Sequence, residues 1–355
     1  MSEPALSPAT WSRGTLERVI HCPACGCAER LPNRYTRRDN DAFMPDQWTM
    51  VTCSACRSLF LDPRPDQESL PRAYDSYHTH QAEDDESRPR GPAAAVLWAL
   101  IHGYLNRRFG SHTQPANPIG RWVFSLAEPF RLKLDYHGRH LTRARFPQPG
   151  SVLDIGCGNG SFLARARDMG WDTMGCEPDP KAVSVCRLLG LDVIAGTAFD
   201  PLLDTRQFDV ITLSHVLEHV PDPLALLKRI HALLTPGGTV WIAIPNPDSL
   251  CASLFGTAWR GLHVPFHLCI PSQPELRTLL KGAGFHGIEF LRRGAHGANP
   301  RADSHAIAER EGLSAPDRRW SAVVSLMSDM LATCSTRWSE ETVTLARKIA
   351  PDHVG

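Results

Sequence analysis

From residue 149 onward the chain alternates short apolar runs with amphipathic stretches, and this alternation limits the possible folds more than any other feature. Strand-length runs and helix-length stretches in turn indicate parallel strands joined by right-handed helical crossovers. We therefore predict an α/β doubly wound, Rossmann-like sheet. The predicted strands are 151–155, 172–177, 192–195, 208–213 and 239–244, and the predicted helices are 160–170, 181–189 and 223–234.

The rest of the chain divides into three further parts. Residues 1–65 are polar, rich in Arg and Pro, and carry two Cys pairs, which suggests a small zinc-ribbon-like module. Residues 66–148 include apolar positions at helical spacing and are predicted to form a helical connector or lid. Residues 149–293 form the predicted core. Residues 294–355 are predicted to be mostly helical, with a last strand at 342–346.

The overall charge supplies no strong field. Lys plus Arg and Asp plus Glu both number 38, so the formal net charge is zero. A modest basic cluster at Arg34, Arg37, Arg38 and Arg57 therefore lends little support to nucleic-acid binding. No export signal or membrane-length apolar run is visible, so we expect a cytoplasmic protein. Nothing in the sequence supports contact with a membrane surface, and the oligomeric state is left open.

A glycine-rich loop follows the first predicted strand. That strand ends at Asp154 and runs directly into Gly156, Gly158 and Gly160. Glycines let a backbone turn sharply and come close to a ligand that a Cβ would exclude. Glu177 ends the second predicted strand, where a carboxylate can accept hydrogen bonds from two ribose hydroxyls. Together these features predict a nucleoside-binding site.

The loop spacing discriminates between nucleoside cofactors. A dinucleotide site needs G-x-G-x-x-G, which clears a pyrophosphate at the helix N-terminus. This loop is G-x-G-x-G, and the carboxylate of Asp154 just before it would repel a pyrophosphate. S-adenosylmethionine has no phosphate and carries an ammonium and a sulfonium. The sequence therefore favours this methyl donor over the nicotinamide cofactor of an oxidoreductase.

Over residues 20–293 the chain resembles the class I S-adenosylmethionine-dependent methyltransferases. It is most similar to a bacterial group with an N-terminal Cys-pair module, which includes sugar C-methyltransferases and ubiquinone-biosynthesis-type O-methyltransferases. The segments that carry the resemblance are 153–160 (LDIGCGNG), 175–179 (GCEPD), 214–220 (SHVLEHV), 234–238 (LTPGG), 245–250 (PNPDSL) and 259–268 (WRGLHVPFHL).

The resemblance implies a set of cofactor contacts. The implied residues are Asp154, Gly156, Gly158, Gly160, Glu177, Pro178, Thr197, Ala198, Ser214 and His215. Thr197 and Ala198 would lie beside the adenine, and Ser214 and His215 beside the methionine portion. Relatives often have an Asp at the adenine position, whereas this chain has Gly196-Thr197-Ala198. Adenine recognition is therefore expected to use backbone groups here.

Two C-x-x-C pairs lie in the N-terminal part: Cys22 with Cys25, and Cys53 with Cys56. Two such pairs can present four thiolates to one tetrahedral zinc ion. Because four thiolates leave no open position, the predicted site is structural. Two disulfides or four free thiols are the alternatives. The nearby Cys27 is interpreted as a bystander.

Three histidines, His215, His219 and His267, follow the fourth and fifth predicted strands and could accept a proton from an acceptor hydroxyl or acidic carbon. His267 matches a family position that carries a catalytic His, and it is our predicted general base. In those relatives an acidic residue precedes it, whereas Phe266 does so here. His263 could substitute, and His219 is a second candidate. Tyr77 resembles a family tyrosine that closes over the pocket.

The predicted function is methyl transfer to an O or C acceptor on a sugar, a glycan precursor or a secondary metabolite. The predicted cofactors are S-adenosylmethionine and a structural Zn²⁺. An RNA methyltransferase and a non-catalytic zinc-ribbon scaffold with a methyltransferase fold are the alternatives. A scaffold would be expected to have a degraded cofactor loop, whereas the loop here is intact.

Overall fold

The computed structural model describes residues 10–38, 46–74, 91–294 and 299–350. The N-terminal part forms two small antiparallel sheets, with strand orders β1-β2-β6 and β3-β4-β5 within this part. Along β4, Trp48 and Met50 are buried and pack into a shared apolar cluster. The elements are β1 (Thr10–Trp11), β2 (Gly14–Glu17), β3 (Arg30–Arg38), β4 (Gln47–Cys53), β5 (Leu59–Leu61), β6 (Arg64–Pro65) and the short helix α1 (Leu70–Ala73).

Three helices follow: α2 (Pro92–Phe109), α3 (Gly120–Leu126) and α4 (Glu128–His137). The first of them starts with proline, whose fixed φ suits a first helical position, and ends at Gly110 with φ 78°. A Cβ on Gly103 would lie only 1.8 Å from the carbonyl oxygen of Asn117, so glycine is required where α2 meets the α2–α3 loop. Tyr104 and Phe109 of α2 pack against the central sheet.

The remaining elements build a large central sheet and the helices on its two faces. They are β7 (Ser151–Ile155), α5 (Ser161–Asp168), β8 (Asp172–Glu177), α6 (Pro180–Leu188), β9 (Asp192–Ala195), β10 (Phe208–Ser214), α7 (Pro223–Leu233), β11 (Leu234–Pro245), α8 (Leu250–Phe255), β12 (Cys269–Ile270), α9 (Gln273–Gly282), β13 (Phe285–Leu291), α10 (Asn299–Glu311), α11 (Ser321–Cys334) and β14 (Glu341–Lys348). Short 3₁₀ turns occupy Pro201–Leu203, Leu217–His219, Gly256–Ala258, Arg260–Leu262 and Arg318–Trp320.

The central sheet has seven strands in the order β13-β14-β11-β10-β7-β8-β9. Neighbours from β11 to β9 are parallel, whereas β14 is antiparallel to both β11 and β13. The chain moves outward from β7 through β8 to β9 and then returns to β10 on the other side of β7. The gap between β7 and β10 is therefore the topological switch point, where open α/β sheets bind ligands beyond the strand ends.

The predicted doubly wound sheet is confirmed. The strands 151–155, 172–177 and 192–195 match the structure, and 208–213 extends by one residue. The strand predicted at 239–244 begins at Leu234, because Leu234 pairs with Phe208 before a register shift. Sequence analysis predicted the last strand but not its antiparallel direction, and it did not predict β12, α9 or β13. Residues 294–340 contain α10 and α11, as the mostly helical prediction expected.

The N-terminal sheets are joined to the core through residues 246–272, here called the insertion segment. Its strand β12 pairs with β5 and so completes a four-stranded sheet, β12-β5-β4-β3. Arg37 is 3% exposed and donates to the carbonyl oxygens of Thr257 and Trp259, both at 3.0 Å. Arg37, a member of the basic cluster noted in the sequence, therefore contributes to the packing of the N-terminal sheet against the insertion segment. Across the described ranges, none of the helices has the length and apolar character to cross a membrane.

Candidate functional site

The glycine loop lies at the switch point, between the end of β7 and the start of α5. Gly156, Gly158 and Gly160 all have positive φ, at 66°, 53° and 77°, which other L-residues rarely adopt. The backbone N–H of Gly156 donates to the carbonyl oxygen of Cys176 at 2.8 Å, and that of Gly160 donates to Cys157 at 3.0 Å. The loop is thus held by backbone hydrogen bonds to the neighbouring strand.

Gly156 also joins this loop to the segment that follows β10. A Cβ built on Gly156 would lie 2.7 Å from Cγ2 of Val216. A side chain at this position would therefore need both a strained backbone and a displaced valine. The close approach places the cofactor loop against residues 214–219, where Ser214 and His215 lie.

Asp154 is completely buried and already has a charged partner. It forms an ion pair with Arg139 and accepts a hydrogen bond from Thr212 at 2.9 Å. Burial raises the pKa of the Asp154 carboxyl, and Arg139 and Thr212 oppose that rise. Its Oδ2 has no hydrogen-bond partner among the described residues. The ion pair with Arg139 was not predicted from the sequence. The prediction of a cationic ligand considered the charge of the Asp154 carboxylate but not that of the guanidinium beside it.

Glu177 ends β8 opposite the loop and is 6% exposed. Its two carboxylate oxygens accept backbone hydrogen bonds from Gly158 at 2.8 Å and from Asp179 at 3.0 Å. Burial raises the pKa of Glu177, and the two backbone donors oppose that rise. A carboxylate offers about four acceptor positions, so about two are left for a ligand.

The predicted adenine side follows β9. The backbone N–H of Gly196 donates to the carbonyl oxygen of Glu177 at 3.0 Å, which places Thr197 and Ala198 beside the end of β8. Pro178 lies between Glu177 and Asp179 at the same edge. A Cβ on Gly196 would lie 2.6 Å from Oδ2 of Asp200. The segment Gly196-Thr197-Ala198 has no carboxylate of its own, but the fold brings the carboxylate of Asp200 next to Gly196.

His215 lies between two carboxylates and has φ 55°. Its Nδ1 is 3.1 Å from Glu218 Oε1 and its Nε2 is 3.0 Å from Glu341 Oε1. Partial desolvation lowers the pKa of the 41%-exposed His215 side chain, but the two carboxylates outweigh it and raise the pKa to about 10. Arg293 donates to the other oxygen of Glu341 at 2.6 Å. His215 is therefore a cation near neutral pH, next to the cofactor loop.

Three histidine rings and one carboxylate meet beside this ion-paired network; we call Glu218, His219, His263 and His267 the histidine cluster. The His219 and His267 ring centroids are 4.7 Å apart, and those of His263 and His267 are 5.0 Å apart. Glu218 is completely buried. The structure thus brings both predicted base candidates together, and it adds Glu218, a residue of the 214–220 motif to which the sequence assigned no role.

Burial lowers the pKa of His267 well below its usual 6.5, and the neighbouring rings of His219 and His263 lower it further. Burial also lowers the pKa of His219, although Glu218 opposes that shift. Both imidazoles are therefore neutral at pH 7. Tyr74 contacts the cluster, with its hydroxyl 3.0 Å from His219 Nδ1. The predicted Tyr77 lies outside the described residues.

The two Cys pairs converge as predicted. The sulfur atoms of Cys22 and Cys56 are 3.7 Å apart, and those of Cys25 and Cys53 are 3.5 Å apart. All four sulfurs lie within 4.8 Å of one another, and none of the four cysteines forms a disulfide. Four thiolates around a zinc ion at 2.3 Å would be about 3.8 Å apart. The spacing therefore suits a tetrahedral zinc site.

A family described as a methyltransferase domain matches residues 130–290. The ubiquinone biosynthesis O-methyltransferase of Cereibacter sphaeroides is 32% identical over 174 residues, covering 45% of this chain and 68% of that enzyme. The same-named enzyme of Bordetella avium is 30% identical, covering 39% and 65%. That of Xanthomonas campestris is 33% identical, covering 38% and 58%. The chain thus spans about two thirds or less of the length of these relatives.

Among solved structures, a SAM-dependent methyltransferase from Archaeoglobus fulgidus is 20% identical with a TM-score of 0.41, covering 64% of this chain and all of that one. The family assignment instead rests on the sequence relatives and on the sheet, whose switch point holds the G-x-G-x-G loop. This chain belongs to the class I S-adenosylmethionine-dependent methyltransferases.

Proposed function

We propose that this enzyme transfers the methyl group of S-adenosylmethionine to a hydroxyl oxygen of a small-molecule acceptor. The observation that carries the proposal is the contact between the cofactor loop and the segment that leads into the histidine cluster, at Gly156 and Val216. The names of the relatives, O-methyltransferases, support oxygen as the accepting atom. A sugar or glycan precursor is one acceptor class within this proposal.

The residues around the loop have distinct proposed roles toward the cofactor. Glu177 uses its remaining acceptor positions for the two ribose hydroxyls. Thr197 and Ala198, with Pro178 nearby, border the adenine, while Ser214 and His215 border the methionine portion. Both N–H groups of His215 are engaged by Glu218 and Glu341, so its proposed role is to border the methionine portion rather than to bind its carboxylate. Gly156, Gly158 and Gly160 provide close backbone approach, and Asp154 holds Arg139 beneath the loop.

The histidine cluster is the proposed acceptor side. Methyl transfer is an in-line displacement in which the acceptor oxygen must face the methyl carbon. A hydroxyl acceptor must also lose its proton, and a neutral imidazole can take it. His267 is the proposed proton acceptor and His219 the second candidate, since both are neutral at pH 7. Tyr77 stays a prediction for closing the pocket.

The cysteine cluster is proposed to hold one structural zinc ion. Elemental analysis of the purified chain is expected to find zinc bound at the four thiolates. Cys22→Ser should remove that zinc and destabilise the N-terminal sheets, because zinc binding and folding of such a module are coupled. Cys27→Ser is the matched control and should retain the zinc. Equal zinc content in both variants would exclude the site.

Acceptor class can be tested by following S-adenosylhomocysteine formation with a panel of acceptors. The panel holds catechols and phenols, nucleotide sugars, an acidic-carbon acceptor and transfer RNA. We expect turnover with a hydroxyl compound and none once that hydroxyl is replaced by a methyl ether. Turnover only with the carbon acceptor or with RNA would contradict the proposal and favour the corresponding alternative.

A further inference from the structure

Large apolar side chains are exposed on two neighbouring helical parts of the chain. We call the exposed apolar side chains within residues 119–130 and 323–330 the apolar face. We propose that the apolar face is the contact surface of a homodimer, covered in solution by the same face of a second copy of this chain. Assembly of this kind requires neither the methyl donor nor an acceptor, so it is independent of the proposed function.

The first half of the apolar face lies on α3 and the start of α4. Its exposed side chains are Ile119, Trp122, Val123, Leu126 and Phe130. The first four have the i, i+3, i+4, i+7 spacing of a single helical stripe, and Leu126 is 87% exposed. The opposite side of α3 already packs inward, since Phe124 is buried and its ring centroid lies 5.7 Å from that of Tyr104. The stripe is therefore a second apolar side of α3 that the described residues leave uncovered.

The second half lies on α11 and has the same spacing. Its exposed side chains are Val323, Leu326, Met327 and Met330. The side chains that α11 buries are small or polar, namely Ser328, Ala332 and Thr333. A surface helix ordinarily turns its large apolar side chains toward the core. Because the described residues of α11 do the reverse, we expect a partner to bury its large apolar stripe.

The two halves lie side by side, because α4 packs against both α3 and α11. Arg292 donates to Oε1 of Glu128, the first residue of α4, at 2.7 Å. It also donates to the carbonyl oxygen of Thr333, at the end of α11, at 2.9 Å. These bonds hold the first turn of α4 next to the last turn of α11. The apolar face is therefore one surface rather than two separate patches.

The size of the apolar face suits a stable dimer. Nine large apolar side chains with exposed fractions of 43–87% offer on the order of 1,000 Å² of surface. The largest apolar patch on a typical monomer is about 300–600 Å². A stable protein interface buries about 800 Å² on each partner. The face is therefore larger than a monomer ordinarily exposes and large enough for a dimer contact.

The charges around the apolar face favour a protein partner over a membrane. The guanidinium of Arg121 stacks over the ring of Trp122, 4.6 Å from its centroid, and Glu128 pairs with Arg131. The helix α11 contains no Lys or Arg, and its one charged side chain is Asp329. Anionic membranes attract clusters of about four to eight Lys or Arg residues. Residues 119–130 and 321–334 together contain one, so a bilayer gains little from this face.

The chemistry of the two halves favours a second copy as that protein. Most soluble oligomers are two-fold homodimers, in which the same contact occurs twice. Trp122 and Phe130 supply rigid rings in the first half, whereas Met327 and Met330 supply flexible thioethers in the second. Methionine sulfur packs favourably against aromatic rings. A two-fold axis that lays the first half of one copy on the second half of the other makes this contact twice, so the face is complementary to itself.

Analytical ultracentrifugation of the full chain, from about 0.1 to about 100 µM, tests the inference. We expect a dimer with a Kd at or below about 1 µM, the weak end for an interface of this size. Leu126→Asp and Leu326→Asp each place a carboxylate in the interface and should raise that Kd by at least about 30-fold. Both side chains are exposed in the single chain, and circular dichroism verifies that the variants are folded.

The matched control is Leu188→Asp, because Leu188 on α6 is 88% exposed and lies outside the apolar face. It should dimerise as the wild type does. Sedimentation with vesicles of phosphatidylcholine and phosphatidylglycerol tests the membrane as the alternative occupant, and we expect no binding. A wild-type chain that stays monomeric, or an unchanged Kd in either folded Asp variant of the face, would overturn the inference. Vesicle binding by a monomer that Leu126→Asp abolishes would also overturn it.

Discussion

The proposed cofactor side and the proposed acceptor side of this enzyme are built in different ways. The cofactor side spans residues 154–177, with a loop and two strand ends that are close in sequence and held mainly by backbone hydrogen bonds. The acceptor side combines residues 216–219 with the insertion segment and Tyr74, and Glu341 reaches the boundary between the two sides at His215. Backbone geometry therefore defines the first side, and long-range packing of ionisable side chains defines the second.

This difference predicts separable effects on binding and on turnover. The cofactor side offers positive-φ glycines and one carboxylate, which affect the affinity for the methyl donor. The acceptor side offers neutral histidines beside a buried carboxylate, which affect the handling of a proton. Variants on one side should leave the other side's measurement unchanged.

The largest effect is expected for His267→Ala. Loss of this group should lower kcat by about 10²-fold or more, the usual range for removing a general base. The affinity for S-adenosylmethionine, measured by calorimetry, should change by less than about twofold, since His267 belongs to the acceptor side. A variant with wild-type kcat would remove His267 from the mechanism.

Glu177→Ala should show the opposite effects: weaker binding of S-adenosylmethionine and little change in kcat. Two charge-assisted hydrogen bonds to ribose are worth about 1.5–3 kcal/mol each, so the Kd for S-adenosylmethionine should rise by about 10²-fold to 10⁴-fold. Asp172→Asn is the matched control, because Asp172 is exposed at the other end of the same strand. If both variants bind the donor equally well, Glu177 does not contact the ribose.

Gly156→Ala tests the junction between the two sides. The variant combines a strained φ with a Cβ 2.7 Å from Val216, whereas Gly190→Ala has a similar φ of 64° and open space around it. Overpacking costs about 1–3 kcal/mol. The free energy of unfolding, measured in denaturant, should therefore fall by about that much more in Gly156→Ala. Equal losses would mean that Val216 does not press on the loop.

The smallest effect concerns a buried histidine on neither side. Burial lowers the pKa of His140 from 6.5 to about 4, and its Nδ1 accepts a hydrogen bond from Trp241 at 3.1 Å. Between these two pKa values the unfolded chain binds a proton on this histidine and the native chain does not. The free energy of unfolding therefore decreases as pH falls from about 6.5 toward 4. The loss between pH 7 and pH 5 should be about 1–2 kcal/mol.

His140→Gln should reduce that acid-side decline, while the exposed His286→Gln should retain it. Denaturant unfolding at several pH values provides the comparison. If the free energy of unfolding of His140→Gln falls with decreasing pH as steeply as that of the wild type, other groups cause the decline.

The contrast between the two sides also explains what could be predicted from sequence. The loop and the end of β8 follow local rules, because glycine spacing and strand ends are visible within 25 residues. The two Cys pairs could also be predicted, since the C-x-x-C spacing defines the ligands. The ion pair between Arg139 and Asp154 could not be predicted, because Arg139 lies in an irregular stretch before the core and belongs to no motif.

The acceptor side was predicted only in part. His219 and His267 were chosen for their places after strands, and the structure brings them together. Glu218 is completely buried and pairs with His215, and its burial beside the two histidines has no sequence signature. Glu341 reaches His215 only because β14 inserts between β11 and β13, an arrangement that periodicity does not predict.

The most direct test of the central claim is calorimetry of the folded chain with S-adenosylmethionine and, separately, with NAD. We expect saturable binding of about one S-adenosylmethionine per chain, lost or strongly weakened in Glu177→Ala, and no binding of NAD. The G-x-G-x-G loop lacks the spacing that a pyrophosphate needs. Binding of NAD, or no binding of the methyl donor by a folded sample, would show that this loop is not a site for the methyl donor.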